Sequence, residues 1–270
     1  MAASTDIPIV FVQAGGSKAF LDIALRQAAL ASPSNEIILL TDTLRPDIPQ
    51  ITQISLADYS NATAQFEGIY RHTSVNDIHY ERFCFARWFS VREFVGRRGI
   101  DRFCILDSDI LLFSPVASFV AEFAGYEAGN WTWANVITAA ALDLMCDHFE
   151  AIFRDRRLRG AIAEKYRIGS VPHLSDMTAL FELASGNPAF LEEHSLVAKG
   201  FDDNIHSSGG GLFVMDGPIK SLTIGADGMP LARRTSDNAA VPLRFVHFAG
   251  QAKALMAKFA WHRAPKAWPA

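Results

Sequence analysis

The sequence predicts an α/β protein built on a mixed, mostly parallel sheet flanked by helices. Three observations carry that expectation. Short unbroken apolar runs alternate with stretches whose apolar residues recur at helical spacing, the rhythm of strand–helix–strand units with right-handed crossovers. The apolar runs stop abruptly at polar residues, as strands buried on both faces do at their carboxyl ends. Half of the 270 residues are hydrophobic and a fifth are charged, enough apolar mass for one large core.

The run Ile7 to Gln13 is the first strand. Ala14-Gly15-Gly16 turns the chain, and Ser17 is placed to cap a helix running to about Ala31, with Phe20, Leu21, Ala24, Leu25 and Ala28 on its apolar face. Gly15-Gly16-Ser17-Lys18 lacks the second half of the P-loop spacing, so it reads either as a tight strand-to-helix turn, the favoured reading, or as a helix start whose backbone amides face a nucleotide. Glu36 to Leu40 is the second strand, ending at Thr41-Asp42, and Ile51 to Leu56 the third. A strong helix is expected over Asn76 to Val95. Arg87 on it has apolar or small neighbours at i−4, i−3, i+4 and i+7, so it pairs either with a ligand phosphate or with a carboxylate of the protein.

Phe103 to Leu106 is an unbroken apolar run that stops at Asp107-Ser108-Asp109. Ligands bind at the carboxyl ends of strands in open α/β sheets. Two carboxylates there repel each other unless a hard divalent cation, Mg²⁺ or Mn²⁺, lies between them. A polar turn after a strand has the same composition, so the motif alone leaves both readings open. Ile110 to Phe113 continues extended, and Ser114-Pro115 starts a helix to about Phe123. A long helix is expected from about Asn135 to Arg156, and another over Ala161 to Tyr166. Ser175-Asp176 caps a helix over Met177 to Ala184. Asp202-Asp203-Asn204 is a loop, Leu212 to Met215 a strand, and Ser221 to Arg233 a hairpin turning at Ala226-Asp227-Gly228.

The last strand, Val241 to Phe248, delivers His247. His247, Gly250 and Lys253 follow one another at intervals of three. Imidazole completes the shell of a cation held by two carboxylates, glycine lets backbone approach a ligand, and lysine places a compact positive charge beside phosphate.

Bulk properties narrow the function. The net charge of −4 (25 basic, 29 acidic) gives no electrostatic case for nucleic acid. Cys84, Cys104 and Cys146 cannot all pair within the chain. Cys84 and Cys104 sit inside apolar runs, so they read as buried hydrophobes in a reducing compartment. The first ten residues lack the pattern of a secretory leader, and no apolar run is long enough to span a bilayer, so a cytoplasmic location is expected. The tail from Ala254 to Ala270 mixes Lys258, Arg263 and Lys266 with Phe259, Trp261 and Trp268. It either packs over the site or touches a membrane surface weakly.

With Asp107-Ser108-Asp109 ending a central strand and His247-x-x-Gly250-x-x-Lys253 far downstream, the chain resembles a GT-A fold glycosyltransferase, most closely the family 8 type that uses nucleotide-diphosphate sugars. The resemblance runs from Ile7 to Lys253 and implies a GT-A-like, Rossmann-type sheet in a single domain over 1–270. Its nucleotide-sugar part would cover about 1–115 and its acceptor and C-terminal metal/phosphate part about 116–270. It implies Mn²⁺ (or Mg²⁺) on Asp107, Asp109 and His247. It also implies a donor, a UDP-sugar, contacted by Gln13, Gly15, Asp42, Arg87, Ser108, Gly250 and Lys253, and transfer with retention to a glycan or lipid-linked glycan. Asp176 is the expected carboxylate beside the reacting sugar, in place of the family's Asp-Gln-Asp segment. Trp131 and Asp203 are candidates for the acceptor pocket. Two other readings stay open on the residues alone: a metal-dependent phosphohydrolase, and a sugar-nucleotide-binding protein without catalysis.

Overall fold

In the computed structural model, residues 7–16, 18–44, 48, 50–129, 131–192, 196–197 and 199–261 are described. Ser17 and the tail residues Arg263, Lys266 and Trp268 lie outside them. The chain begins with strand β1 (Ile9–Gln13), helix α1 (Ala19–Ala31), strands β2 (Ile37–Thr41) and β3 (Ile51–Ser55), and helices α2 (Asn61–Ile69) and α3 (Ile78–Arg98). Strands β4 (Arg102–Leu106), β5 (Ile110–Leu112), β6 (Ala128–Gly129) and β7 (Ala134–Thr138) come next. They are followed by helices α4 (Ala139–Arg154), α5 (Arg156–Lys165) and α6 (Asp176–Ala184) and strand β8 (Phe190–Leu191).

The central sheet has the order β3-β2-β1-β4-β7. Its first four strands are parallel, and β7 closes it antiparallel to β4. This is the mixed, mostly parallel sheet the sequence predicts. Every residue of β1 and β2 is buried because helices cover both faces. The period-two side-chain alternation then divides the strand between two cores. Ile9 and Phe11 join α1 side chains such as Leu21 and Leu25 on one side. Val10 and Val12 join Phe85, Trp88 and Phe89 of α3 and Phe149 of α4 on the other. The three cysteines are free and buried: Cys104 and Cys146 lie in these two cores, and Cys84 lies on α3 at the edge of a cleft.

Helix α3 is set by its ends. Asp77 accepts hydrogen bonds from the backbone amides of His79 and Tyr80, and Gly99 closes the helix in the left-handed conformation at φ 63°. The helix therefore starts and stops slightly later than expected.

In the middle of the chain two expected elements differ. The long helix read from Asn135 begins instead at Ala139, because residues 134–138 form β7 on the edge of the main sheet. Val136, Ile137 and Thr138 are β-branched and fit the pleat, and Thr138 then caps α4 by accepting from the Ala141 amide. The stretch after Pro115 forms two 3₁₀ turns, Val116–Ser118 and Val120–Phe123, rather than one helix. Val116, Phe119, Val120 and Phe123 are nonetheless buried.

The C-terminal third supplies β9 (Met215–Asp216), β10 (Ile219–Lys220), β11 (Leu222–Ile224), β12 (Pro230–Arg233), β13 (Ala240–Pro242) and β14 (Phe245–His247). The predicted hairpin is present, with Leu222, Thr223 and Ile224 opposite Ala232, Leu231 and Pro230. The expected strand over Leu212 to Met215 is only β9, preceded by a single bridge at Phe213. The single last strand expected over Val241 to Phe248 is split at Leu243 and Arg244 into β13 and β14, which serve different sheets.

After β14 come a 3₁₀ turn, Gly250–Leu255, and a short helix, Met256–Phe259. The described part of the tail packs on the core. Phe259 meets Phe248, and Trp261 lies edge-on to Phe113 at 5.4 Å while donating its Nε1 hydrogen to Gly228 O at 2.7 Å. Among the described residues no helix is long and apolar enough to cross a membrane.

Candidate active site

The sheet order positions the site. β1 has β2 on one side and β4 on the other, so the chain reverses its winding between β1 and β4. A crevice opens at such a switch point, beyond the carboxyl ends of both strands. There a cleft of about 820 Å³ is lined by Gln13 from the end of β1 and by Asp107, Ser108 and Asp109 from the end of β4. Arg87, Asp176, Asp203, His247, Gly250 and Lys253 add to its polar wall, and Trp133, Phe20 and Phe181 supply apolar surface.

Backbone register brings His247 to Asp109. β14 runs antiparallel to β5, with His247 opposite Ile110, and the Phe248 amide donates to Asp109 O at 2.9 Å. Residues nearly 140 positions apart thus share one corner. His247 Nε2 lies 3.6 Å from Asp109 Oδ1, and Lys253 Nζ lies 3.1 Å from Asp109 Oδ2. The imidazole is held from three sides. Its backbone amide donates to Asp202 Oδ2 at 2.9 Å, its ring stacks on Trp133 at 5.5 Å, and its Nδ1 lies 3.0 Å from Asp203 O. A carbonyl only accepts, so Nδ1 carries the hydrogen and Nε2 of the neutral ring presents a lone pair to the Asp109 carboxylate. Lone pair against carboxylate is repulsive unless a cation or proton lies between them. The donor set of one imidazole and hard carboxylate oxygens suits a divalent first-row cation.

Asp107 is turned the other way. Its Oδ1 accepts a charge-assisted bond from Arg87 Nη1. Arg87 Nη2 also reaches Asp176 Oδ2 at 3.2 Å and Thr132 O at 3.1 Å. Of the two partners the sequence left open for Arg87, the structure shows the intraprotein carboxylates, on the wall of the same cleft. Among the described residues no three His, Cys, Asp or Glu side chains already stand as a ligand set. Asp109 and His247 converge, and Asp107 stands beside them with its Oδ1 on Arg87. Burial pushes the Asp107 carboxyl up to about 6, with Arg87 pulling down and Asp109 pushing further up.

Asp176 opens α6, but Ser175 is the residue that caps it. Ser175 Oγ accepts from the Thr178 amide, and the Thr178 side chain accepts in return from the Ser175 amide. That leaves the Asp176 carboxylate for Arg87 and for Trp88 Nε1 at 3.2 Å, a fixed position at 4% exposure.

Asp42 lies at the end of β2 and accepts from the Gly15 amide at 2.8 Å. Gly15 and Gly16 both have φ +82°, which explains glycine at this turn. Asp42 and Gly15 therefore shape the loop beside Gln13 and do not line the cleft itself. Gly250, at φ +59°, forms part of the cleft wall and leads into the turn that carries Lys253.

Of the two expected acceptor residues, Trp131 faces away from the cleft, whereas Asp203 lines both the cleft and a neighbouring cavity. Trp131 is 1% exposed and stacks inward on Trp133 at 5.3 Å, so it meets no sugar; Trp133 is the tryptophan that lines the cleft. The Asp203 carboxylate is bound to Lys220 at 2.7 Å, and its backbone carbonyl fixes the His247 tautomer.

The sequence reading missed the group behind His247. Lys220 is fully buried and gives its three hydrogens to Asp202 Oδ1, Asp203 Oδ1 and Asn204 O, at 2.6, 2.7 and 2.6 Å. It also missed Glu81, buried on α3, which accepts from Ser74 Oγ at 2.9 Å and Asn76 Nδ2 at 2.7 Å. Burial pushes the Glu81 carboxyl up. A lone acid on the same helical face as Cys84 and Phe85 was its only trace in the sequence.

The sheet order, the Asp-x-Asp at the end of β4 and the histidine brought back beside it together define a GT-A fold. Solved structures with this fold include the galactosyltransferase LgtC in complex with donor and acceptor sugar analogues, at 14% identity and a TM-score of 0.50 over 97% of this chain and 98% of that one. An active-site mutant of LgtC gives 13% identity and a TM-score of 0.51 over 97% of this chain and 98% of that one. The apo form of mouse xyloside xylosyltransferase 1 gives 11% identity and a TM-score of 0.50, over 69% of this chain and 84% of that one. No family model matches the chain, and no curated protein is significantly similar to it in sequence.

Proposed function

We propose that the protein transfers a sugar from a nucleotide-diphosphate donor, a UDP-sugar, to a hydroxyl of a glycan or glycolipid acceptor, with retention at the anomeric carbon. The observation that supports this reading is the Asp109–His247–Lys253 corner at the switch point of a GT-A sheet: a carboxylate, an imidazole and a lysine face one cleft.

Glycosyl transfer breaks the bond between the anomeric carbon and the diphosphate. Negative charge builds on the leaving diphosphate while the sugar becomes oxocarbenium-like. Asp109, His247 and Asp107 would hold Mn²⁺ or Mg²⁺, which would supply positive charge at that diphosphate. Lys253 brings a fixed positive charge to the same place. Arg87 holds Asp176 in position. The Asp176 carboxylate, fixed by Arg87 and Trp88, is set to orient a hydroxyl of the donor sugar. A second cavity of about 550 Å³ adjoins the cleft and shares Phe181 and Asp203 with it. Tyr166, Phe181 and Phe190 give it aromatic surface and Glu192 a hydroxyl partner, features that suit an acceptor sugar.

The test is turnover of a panel of nucleotide sugars with Mn²⁺ and with EDTA, with products analysed for released sugar, transferred sugar and inorganic phosphate. Expected is release of free nucleoside diphosphate from one donor, abolished by EDTA and restored by Mn²⁺. Equal turnover in EDTA would contradict the reading. Inorganic phosphate as the product would favour a phosphohydrolase, and donor binding without turnover a non-catalytic protein.

A further inference from the structure

Helix α3 grips Asp176 at two places. Arg87 and Trp88 bind its carboxylate. Glu81, two turns earlier on the same helix, is a partner of its backbone, because the Asp176 amide donates to the Glu81 carboxyl. Glu81 is 1% exposed. The Ser74 hydroxyl donates to its Oε2 at 2.9 Å and the Asn76 side-chain amide at 2.7 Å. All three partners are neutral donors. An acid buried among neutral donors costs stability that an apolar residue in its place would not, and burial pushes this carboxyl up.

What the carboxyl gains is a junction. Its donors come from two segments: residues 74–76, which lead into α3, and the first residue of α6. The same two segments are tied elsewhere. The Leu174 amide donates to Thr73 O at 2.7 Å, and His173 Nδ1 lies 2.9 Å from Ser74 Oγ. The start of α6 does not need Glu81, since Ser175 and Thr178 cap that helix by themselves. Glu81 instead sets where the Asp176 backbone stands relative to α3, and so where its carboxylate meets Arg87 and Trp88. The cleft begins at this junction: Tyr80 and Cys84, on either side of Glu81, line it together with Asp176 and Met177.

We propose that Glu81 is a positioning residue of the active site, which holds the backbone of Asp176 so that its carboxylate stays on Arg87 and Trp88 and faces the donor sugar. This rests on the transfer reading, in which Asp176 orients a hydroxyl of that sugar. Glu81 acts through Asp176 and stands behind the cleft wall.

The test is Glu81→Gln in the whole protein. The carboxamide keeps one oxygen for Ser74 and Asn76 but offers a single acceptor atom to three donors, so the Asp176 amide loses its partner while the fold is kept. Expected is a kcat for donor turnover at least about tenfold lower, with the donor KM and the affinity for UDP with Mn²⁺ changed by less than about twofold. In an Asp176→Asn background the same substitution should cost less than about twofold more, because the two residues act as one unit. The Trp88 indole N–H resonance, assigned with Trp88→Phe, should shift in Glu81→Gln as its carboxylate partner moves. Glu81→Asp retracts the carboxyl by one methylene, should show the same loss of kcat, and stands in if Glu81→Gln does not fold. A kcat like that of the wild type, losses that multiply in the double variant, or an unmoved Trp88 resonance would overturn the proposal. If the wild type turns over no nucleotide sugar, the transfer reading alone falls, and the Trp88 resonance still shows whether Glu81 holds Asp176.

Discussion

Asp109→Asn and His247→Ala should each lower cation-dependent donor turnover by at least about a hundredfold, because each removes one of the two groups that meet at the cleft floor. Asn keeps the shape of Asp109 but loses the charge that faces both His247 Nε2 and Lys253 Nζ. Ala at 247 removes the lone pair and also the ring stacked on Trp133, so some thermal stability is lost with it. The two effects separate by Mn²⁺ titration. Lost ligation raises the Mn²⁺ concentration needed for half-activation, whereas lost packing lowers the melting temperature. Groups serving one cation act as a unit, so the double variant should be little worse than the poorer single one. Full additivity of the two losses would show that they act on separate steps.

Lys220→Met should cost about 3–5 kcal/mol of stability, the loss typical when one partner of a buried ion pair is removed. Methionine has nearly the length of lysine, so little volume is lost. What disappears is the cation between Asp202 and Asp203, both buried. In the native protein, burial pushes the Asp202 carboxyl up, and the pull of Lys220 does not fully offset it. Burial also pushes Asp203 up, but the hydrogen bond and charge of Lys220 outweigh it and leave Asp203 below the usual carboxylate range.

The sign of the pH dependence follows. The depressed Asp203 contributes stability above its unfolded pKa, and that contribution is lost as pH falls through its folded value. Without Lys220, both carboxyls sit above their unfolded values, and the variant loses stability as pH rises. The deficit should therefore be small near pH 4 and grow towards pH 7. Urea unfolding at several pH values measures it, and a deficit independent of pH would contradict the account. Because Asp202 and Asp203 also hold the His247 amide and Nδ1, the same variant should bind Mn²⁺ less well.

The elements legible in the sequence were those with local causes. Buried strands read as apolar runs, α3 as a helical period, and the hairpin as Ala226-Asp227-Gly228. The pairing of Asp109 with His247 was legible only through the ordered motif, and β14 against β5 is the physical reason it holds. What the sequence hid was long-range. Nothing near Arg87 indicates that it bridges Asp107 and Asp176, 20 and 89 positions away. Lys220 sits beside a hairpin with no motif around it, and only the fold closes it over Asp202 and Asp203. Trp131 and Trp133 are chemically alike, and which of them faces the cleft depends on how the loop enters β7. The β-branched Val136-Ile137-Thr138 did mark a strand, but the helical period of α4 begins immediately afterwards and masked it.

The most direct measurement is electron spin echo modulation of Mn²⁺ bound together with UDP. If Asp109 and His247 share the cation, wild-type protein shows modulation from one directly bound imidazole nitrogen, and His247→Ala lacks it. A wild-type spectrum with no coordinated nitrogen, or one unchanged in His247→Ala, would contradict the shared-cation site.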